Sequence, residues 1–173
     1  MTKQATEPCA VDFAEMGAPT DAHKRLEPFV GTFRAEVRMW MGPGDPMVST
    51  GTMTNAMDLG GRFLHQNYVG DPCEGPFPNF EGRGYWGFNK TTSKYEGFWI
   101  DTASTVMQTE AGKADASGKK WTMIGAMTCP TGQEMKKRSV IKLIDRDHHS
   151  MEMFFTGADG KETKSMEIKY ERA

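Results

Sequence analysis

The sequence predicts an all-β protein, a single up-and-down antiparallel β-barrel of about ten strands with a short N-terminal helix. From Gly31 onward the chain divides into strand-length segments, each ended by Gly, Pro, Asn or Asp residues. No helix-length apolar pattern separates these segments, so the strands follow one another as hairpins. With 173 residues the chain forms one domain with a sizeable core. A two-sheet sandwich would give nearly the same pattern of strands.

The N-terminal part is expected to differ from the rest. Residues 1–19 show little periodicity, so we expect a flexible arm there, followed by the barrel domain over residues 20–173. A short turn is predicted at Val11–Met16 and a short helix at Ala22–Leu26, ending before Pro28. Three apolar residues of this region are expected to pack inward and close one barrel end: Leu26, Phe29 and Val30.

Most of the expected strands alternate apolar and polar residues, as strands do when one face packs and the other meets water. The strongest hairpin prediction is the pair Gly60-Gly61 between the second and third strands. The strands are expected at Thr32–Met41, Val48–Leu59, Arg62–Val69, Phe80–Phe88, Lys94–Asp101, Thr105–Lys113, Lys120–Thr128, Met135–Asp145, Ser150–Thr156 and Lys161–Glu171.

Composition and charge exclude several classes of function. The 21 basic and 23 acidic residues are spread along the chain and give a net charge of −2, which argues against a nucleic-acid partner. The densest basic run, residues 136–138, is expected at the exposed end of a strand. No apolar stretch reaches the roughly 20 residues that cross a bilayer, so we expect no membrane contact. Three widely separated cysteines and no secretory leader predict a cytoplasmic protein.

The sequence contains no recognisable catalytic, metal or cofactor motif. No serine lies in a Gly-x-Ser-x-Gly elbow, and no glycine-rich loop precedes a helix. His65 stands alone on its strand, and a lone histidine is usually structural. His148 and His149 lie near two aspartates, but neighbouring strand residues face opposite ways and this segment is expected to form a turn. We therefore expect neither a metal nor a cofactor.

Five segments, in order and spacing, resemble one family. They are Phe29-Val30-Gly31-Thr32-Phe33, Leu59-Gly60-Gly61-Arg62-Phe63-Leu64, Phe80-Glu81-Gly82-Arg83-Gly84-Tyr85, Trp99-Ile100-Asp101, and Asp159-Gly160-Lys161 with Met166-Glu167-Ile168-Lys169-Tyr170. Together they resemble the bacterial domain of unknown function 1579 family, which is similar in fold to the calycins. The resemblance runs from about His23 to Arg172.

The resemblance implies a fold and a general role but no activity. Calycins, including lipocalins and fatty-acid-binding proteins, are barrels that mostly carry small apolar molecules. Their first strand often begins with a Gly-x-Trp motif that plugs the barrel floor. Gly31-Thr32-Phe33 lies at the matching place with Phe instead of Trp, and Phe can fill the floor without donating the indole hydrogen bond. The family has no agreed activity, so the resemblance assigns no catalytic residues.

Four polar residues are candidates for orienting a ligand inside the barrel. Asp101 ends a strand and points inward if Trp99 does, where its carboxylate would bind a ligand, act as a base or simply cap the following turn. Arg62 and Tyr68 share one face of the third strand, and an inward arginine with a tyrosine can hold a carboxylate. The opposite assignment, with both on the outer face, remains open. Arg138 is the remaining candidate.

Large aromatic and methionine side chains are candidates for the cavity lining. Trp121 is in step with Met123, Trp86 shares a face with Phe80 and Phe88, and Trp99 is expected to point inward. Gly82 and Gly84 flank the Trp86 stripe and leave space, which fits either a pocket or a packed core. The 14 methionines suit an irregular apolar pocket, although methionine also serves as ordinary core filler.

These observations favour a protein that binds a small hydrophobic molecule inside its barrel. Gly70–Asn79, the longest loop, is expected to act as a lid. The expected ligand-binding residues are Arg62, Tyr68, Trp86, Trp99, Asp101, Trp121, Met123 and Arg138. Two alternatives stay open. One is an enzyme that uses Asp101 as a base in the same cavity. The other is a non-catalytic assembly module, such as a homodimer, with a solid barrel and with Trp40 as a contact residue.

Overall fold

The computed structural model describes residues 12–128 and 132–173 and shows a closed antiparallel barrel of ten strands. Each strand pairs with its neighbours in the chain, and the first strand pairs with the tenth, from Phe33 opposite Arg172 to Met39 opposite Met166. The fold class predicted from the sequence, including the short N-terminal helical segment, is confirmed. Successive hairpins therefore account for the whole sheet.

The helical elements come first and are short. Helix α1 spans Phe13–Gly17, α2 spans Asp21–Lys24, and a single 3₁₀ turn spans Glu27–Phe29. The strands are β1 Gly31–Met39, β2 Met47–Asp58, β3 Phe63–Gly70, β4 Glu81–Asn89, β5 Lys94–Asp101, β6 Gln108–Ala114, β7 Lys120–Thr128, β8 Glu134–Leu143, β9 His148–Thr156 and β10 Glu162–Arg172. Within these described residues, no helix is long and apolar enough to cross a membrane.

The barrel has two different ends, which we call the floor and the mouth. The floor is the end where β1 begins, and it carries the turns 59–62, 90–93, 115–119 and 144–147. The mouth is the opposite end and carries the described connections 40–46, 71–80, 102–107 and 157–161. The predicted Gly60-Gly61 hairpin is confirmed at the floor, where both glycines have φ angles of 67° and 81° that an L side chain rarely adopts.

The floor is sealed by the segment that precedes β1. Leu26 and Phe29 are buried against large aromatic residues of the strands. The ring of Phe29 lies 5.4 Å from that of Trp86 and 5.3 Å from that of Trp121, centroid to centroid, in tilted and edge-to-face arrangements. The expectation that this segment closes one barrel end is confirmed.

The join between β1 and β10 is reinforced at the floor by Arg172. Its guanidinium carbon lies 4.4 Å from the centroid of Phe33, and its Nη1 donates a 2.9 Å hydrogen bond to the carbonyl of Val30. Gly31 has a φ of 134°, and a Cβ at that position would overlap the Arg172 guanidinium. Phe33 is completely buried, so it fills the floor as the Gly-x-Trp resemblance implied.

The strand pairing shows which residues point into the barrel. On β3, Leu64, Gln66 and Tyr68 face inward, because they pair with Met57, Asn55 and Met53 of β2 and share the buried face. Phe63, His65, Asn67 and Val69 lie on the outer face. The structure thus resolves the orientation of β3 that the sequence left open.

Candidate functional site

The mouth half of the barrel interior is the candidate site, because many of its inward side chains remain partly accessible to solvent. At the floor, inward residues such as Leu64, Trp121 and Met123 are completely buried. Near the mouth, most inward residues of β5 to β10 are only partly buried, with Lys137 as the buried exception. This half-buried set comprises Trp99, Asp101, Gln108, Glu110, Met127, Met135, Met151, Met153, Phe155 and Met166.

An ion pair lies among these apolar side chains. The Lys137 ammonium is 3.1 Å from Oε2 of Glu110, with exposed side-chain fractions of only 4% and 19%. The same oxygen accepts a 2.8 Å hydrogen bond from the hydroxyl of Ser139, which is fully buried. Lys137 also donates to Oε1 of Gln108 over 3.5 Å. These four residues, which we call the polar cluster, place one cation and one anion where burial is costly unless both are paired.

A glycine makes this cluster geometrically possible. Glu110 lies on β6 and Lys137 on β8, and both pair with Gly125 of the intervening strand β7. A Cβ at Gly125 would overlap the carbonyl oxygen of Thr109 and approach the Glu110 Cβ to 3.3 Å. Because Gly125 has no side chain, Glu110 can reach across β7 to the ammonium of Lys137.

Trp99 occupies the space that Gly82 and Gly84 leave in β4. A Cβ at Gly82 would overlap the indole ring, and one at Gly84 would lie 2.8 Å from its Cε3. The indole Nε1 donates a 3.0 Å hydrogen bond to Oδ2 of Asp101. The space that these glycines leave beside Trp86 is thus filled by the Trp99 side chain of the neighbouring strand, so this part of the barrel wall is packed.

Three of the predicted site residues lie on the inner face near the mouth. Tyr68, Trp99 and Asp101 all point inward, as the expected strand parity requires. The other carboxylate oxygen of Asp101 accepts a 3.0 Å hydrogen bond from the backbone of Ala103, so Asp101 also caps the turn that follows β5. Ligand contact by these residues stays a prediction.

Trp86, Trp121 and Met123 also point inward but lie at the floor. They belong to one buried cluster with Leu26 and Phe29. The rings of Trp86 and Trp121 meet edge to face, with their centroids 5.4 Å apart. In this position they form the packed base beneath the candidate site. Only the part of a ligand that reaches deepest into the barrel could contact them.

Arg138 does not point into the barrel, contrary to the expectation from the sequence. Its guanidinium packs 4.1 Å from the ring centroid of Phe154, and its Nε donates a 2.8 Å hydrogen bond to Glu162 on the outer surface. The pairing with Glu162 raises the pKa of Arg138 above its already high ordinary value. The inward residue is its neighbour Lys137, because successive strand residues face opposite sides. The expectation that residues 136–138 mark an exposed strand end is wrong for Lys137.

Arg62 is also placed differently from the expectation. It lies in the turn before β3 at the floor, and its Nη1 donates a 2.9 Å hydrogen bond to the carbonyl of Leu59. Tyr68 is at the other end of the same strand, so Arg62 and Tyr68 cannot hold one carboxylate between them. The alternation of β3 does not extend into the turn, where the two glycines redirect the chain.

The two adjacent histidines begin β9 rather than forming a turn. His148 faces outward, and its Nδ1 lies 2.8 Å from Oδ1 of Asp145, which raises the pKa of the imidazole. His149 points inward at the floor and stacks on Tyr170, with 4.3 Å between ring centroids. Burial, helped by the charge of Arg172, lowers the pKa of His149 to about 3. Over residues 12–128 and 132–173, no three His, Cys, Asp or Glu side chains are grouped to hold a metal ion.

The connection between β3 and β4, residues 71–80, lies at the mouth end of the barrel. Its first residue, Asp71, forms a two-armed ion pair with Arg34 of β1 and accepts a 2.6 Å hydrogen bond from Thr50, which lowers the carboxyl pKa to about 2. At the other end, Phe80 packs against Tyr68 with 5.7 Å between ring centroids. The loop is thus tied down at both ends. Its role as a lid stays a prediction.

Two clefts lie outside the barrel interior. One, of about 250 Å³, is between α2 and the floor ends of β4 to β6, with Arg25 and Lys113 at its edge. The other, of about 180 Å³, lies beside Pro76–Pro78. Neither includes residues of the polar cluster.

Comparison with known proteins shows the family. The family model described as "Protein of unknown function (DUF1579)" matches residues 18–172, almost the whole barrel. The chain belongs to this family. No curated protein matches the chain in sequence. The family resemblance inferred from the five sequence segments is therefore confirmed.

Two solved structures share the fold at low sequence identity. Rv2717c from M. tuberculosis has a TM-score of 0.67 and 14% identity, over 90% of this chain and 99% of that one. The S-type phycobiliprotein lyase CPES from Guillardia theta has a TM-score of 0.61 and 9% identity, over 94% of this chain and 98% of that one. At these identities the likeness concerns the fold alone.

Proposed function

We propose that the protein binds a small, largely apolar molecule in the mouth half of its barrel. One observation carries the proposal: inward side chains near the mouth, mainly methionines with Trp99 and Phe155, are partly accessible, whereas the central floor residues Leu64, Trp121 and Met123 are completely buried. Apolar side chains that face inward and still meet solvent form the lining expected of a ligand pocket.

The chemistry of the lining supports an apolar ligand. Methionine side chains are flexible and polarizable, so they adapt to ligands of irregular shape. The polar groups are few and concentrated in the polar cluster and at Asp101, as in sites where a small number of polar contacts orient an otherwise apolar molecule. The shared fold with a phycobiliprotein lyase is compatible with this role.

The proposal is tested with a neutral environment-sensitive dye such as Nile red. We expect saturable binding with one site per chain. Met153→Trp places a larger side chain in the lining and is expected to weaken binding by about tenfold. The matched control, Met41→Trp, makes the same change at a residue that is 69% exposed on the mouth loop and is expected to bind as the original protein does.

Two outcomes would contradict the proposal. One is the absence of saturable dye binding by protein with a folded far-UV spectrum. The other is equal affinity in the Met153→Trp and Met41→Trp variants, which would place the dye outside the barrel. If the dye binds as expected, native mass spectrometry of the protein purified from its own host identifies the natural cargo through any small molecule that remains bound.

A further inference from the structure

We propose that the bound molecule carries an uncharged polar group, an alcohol, ketone, ester or amide oxygen, that accepts hydrogen bonds from Lys137 and Gln108. This inference rests on the proposed function and adds the chemical class of the ligand. It follows from the hydrogen-bonding groups of the polar cluster and from the charges that face the mouth half of the interior.

The polar cluster has hydrogen-bond donors to spare. The Lys137 ammonium has three N–H groups; one is directed at Glu110, 3.1 Å away, and one at Gln108 Oε1, 3.5 Å away, which leaves one available. The amide nitrogen of Gln108 is a second donor, since Gln108 contacts Lys137 through its oxygen. A ligand oxygen placed near both would receive the hydrogen bonds that neither protein group uses.

The charges around the cluster disfavour a ligand carboxylate. Among the described strand residues, the charged side chains that point into the mouth half are Asp101, Glu110 and Lys137. Two carboxylates against one ammonium leave this region with an excess of one negative charge. A ligand carboxylate would have to compete with Glu110 for Lys137 in a site where charges are weakly screened.

A ligand amine is disfavoured for a different reason. Glu110 is already neutralised by Lys137, and its Oε2 also accepts from Ser139. The oxygens of Asp101 accept from Trp99 and from the backbone of Ala103. A second cation beside Lys137 would repel it, and either charged group would lose its hydration on entering the barrel. An uncharged oxygen avoids both costs.

The experiment compares three ligands that differ only in their end group: decanol, decanoate and decylamine, each displacing Nile red at pH 7.5. We expect decanol to bind at least about tenfold more tightly than decanoate, and more tightly than decylamine. Lys137→Met, which removes the donor, is expected to lower decanol affinity by about tenfold, whereas Lys137→Gln, which keeps an N–H donor, is expected to lower it much less.

The sharpest variant is Glu110→Gln, which removes the competing carboxylate and keeps the shape. We expect it to raise decanoate affinity by at least about tenfold, since Lys137 then lacks an ionic partner. The control is Glu134→Gln, the same charge change on the outer face of β8 at the mouth. That control is expected to leave the order of the three ligands unchanged.

The outcomes separate this inference from the proposed function. If decanoate or decylamine binds as tightly as decanol, or if Glu110→Gln leaves decanoate binding unchanged, the inference is wrong and the proposed function stands. If none of the three displaces the dye and the dye itself does not bind, both are wrong. Should Glu110→Gln fail to fold, the comparison of Lys137→Met with Lys137→Gln still decides.

Discussion

The ion pair inside the barrel gives the most specific stability prediction. Replacing Glu110 by Gln leaves the ammonium of Lys137 buried, with an exposed fraction of 4%, and without a charged partner. Removing one member of a buried pair costs about 3–5 kcal/mol in proteins generally. Because Gln can still accept a hydrogen bond from Lys137, we expect the free energy of unfolding to fall by about 2–3 kcal/mol.

The reverse substitution should cost less. In Lys137→Met, Glu110 keeps the hydroxyl of Ser139 at 2.8 Å, and its exposed fraction of 19% lets water reach the carboxylate. We expect a loss of about 1–2 kcal/mol. In the double variant no unpaired charge remains, and replacing a buried pair by neutral groups is often nearly without cost, so we expect stability within about 1 kcal/mol of the original protein.

A double-mutant cycle measured by urea unfolding, followed by circular dichroism, tests this reasoning. The four proteins should give a coupling energy of about 2 kcal/mol or more between the two positions. A coupling energy below about 0.5 kcal/mol, the value for independent sites, would refute the pair as a single energetic unit. Unchanged m-values would show that the comparison concerns the native state.

Three further predictions concern the two histidines of β9 and the barrel wall. The pKa of His149 falls from 6.5 to about 3 on folding, so the stability that its neutral form contributes is complete above pH 6.5 and is lost as pH falls towards 3. Between pH 7.5 and 4.5, the loss in the free energy of unfolding should therefore be about 2–3 kcal/mol smaller in His149→Phe than in the original protein. His148→Asn should change the pH dependence of stability in the opposite direction. The raised pKa of His148 stabilises the fold below pH 6.5, and that stabilisation disappears as pH rises through the folded-state pKa, so the variant should lack this extra stability at low pH. Gly82→Ala should displace Trp99, cost about 1–3 kcal/mol and alter the near-UV circular dichroism, whereas Gly42→Ala, where a Cβ meets nothing within 4 Å, should not.

The predictions for His149 and Gly82 would each be contradicted by a specific result. A pH dependence of unfolding that is identical with and without the His149 side chain would show that it is not buried as a neutral group. For the barrel wall, a Gly82→Ala variant with unchanged stability and unchanged tryptophan spectra would mean that the Trp99 side chain does not pack against Gly82 of β4.

The fold was predictable because hairpin turns and alternation are local features of the chain. The Gly60-Gly61 turn and the alternating residues of β1 each determine their own structure without knowledge of distant contacts. Barrel closure was less certain, since a sandwich has the same local pattern. The structure shows closure through the pairing of β1 with β10, which no local pattern encodes.

The candidate site was less predictable, because it depends on strand register. On β8, Met135, Ile141 and Leu143 share a face with Lys137, whereas Arg138 lies on the other face. That apolar set was a usable signal for an inward lysine, but the basic run 136–138 suggested an exposed strand end. A shift of one residue exchanges the two faces of a strand, so the sequence predicts Arg138 as the ligand-binding residue where the structure has Lys137 facing inward.

Glu110 had no comparable signal. Its strand, β6, carries Gln108, Gly112 and Ala114 on the inner face, so alternation of apolar and polar residues is absent. Its importance arises from Gly125 on the next strand and Lys137 on the one beyond, a contact across three strands. Such a contact becomes visible only when the register of all three strands is known.

The pairing of the first strand with the tenth has a consequence for the order of events during synthesis. Leu26 and Phe29 leave the ribosome early, yet their partner Trp121 and the guanidinium of Arg172 follow only much later. Until β10 has been made, β1 exposes an unpaired edge and the aromatic base lacks part of its cover. Completion of the native state must therefore wait for the synthesis of β10 and be slow compared with hairpin formation, and a nascent chain that stalls before β10 is the species most exposed to aggregation.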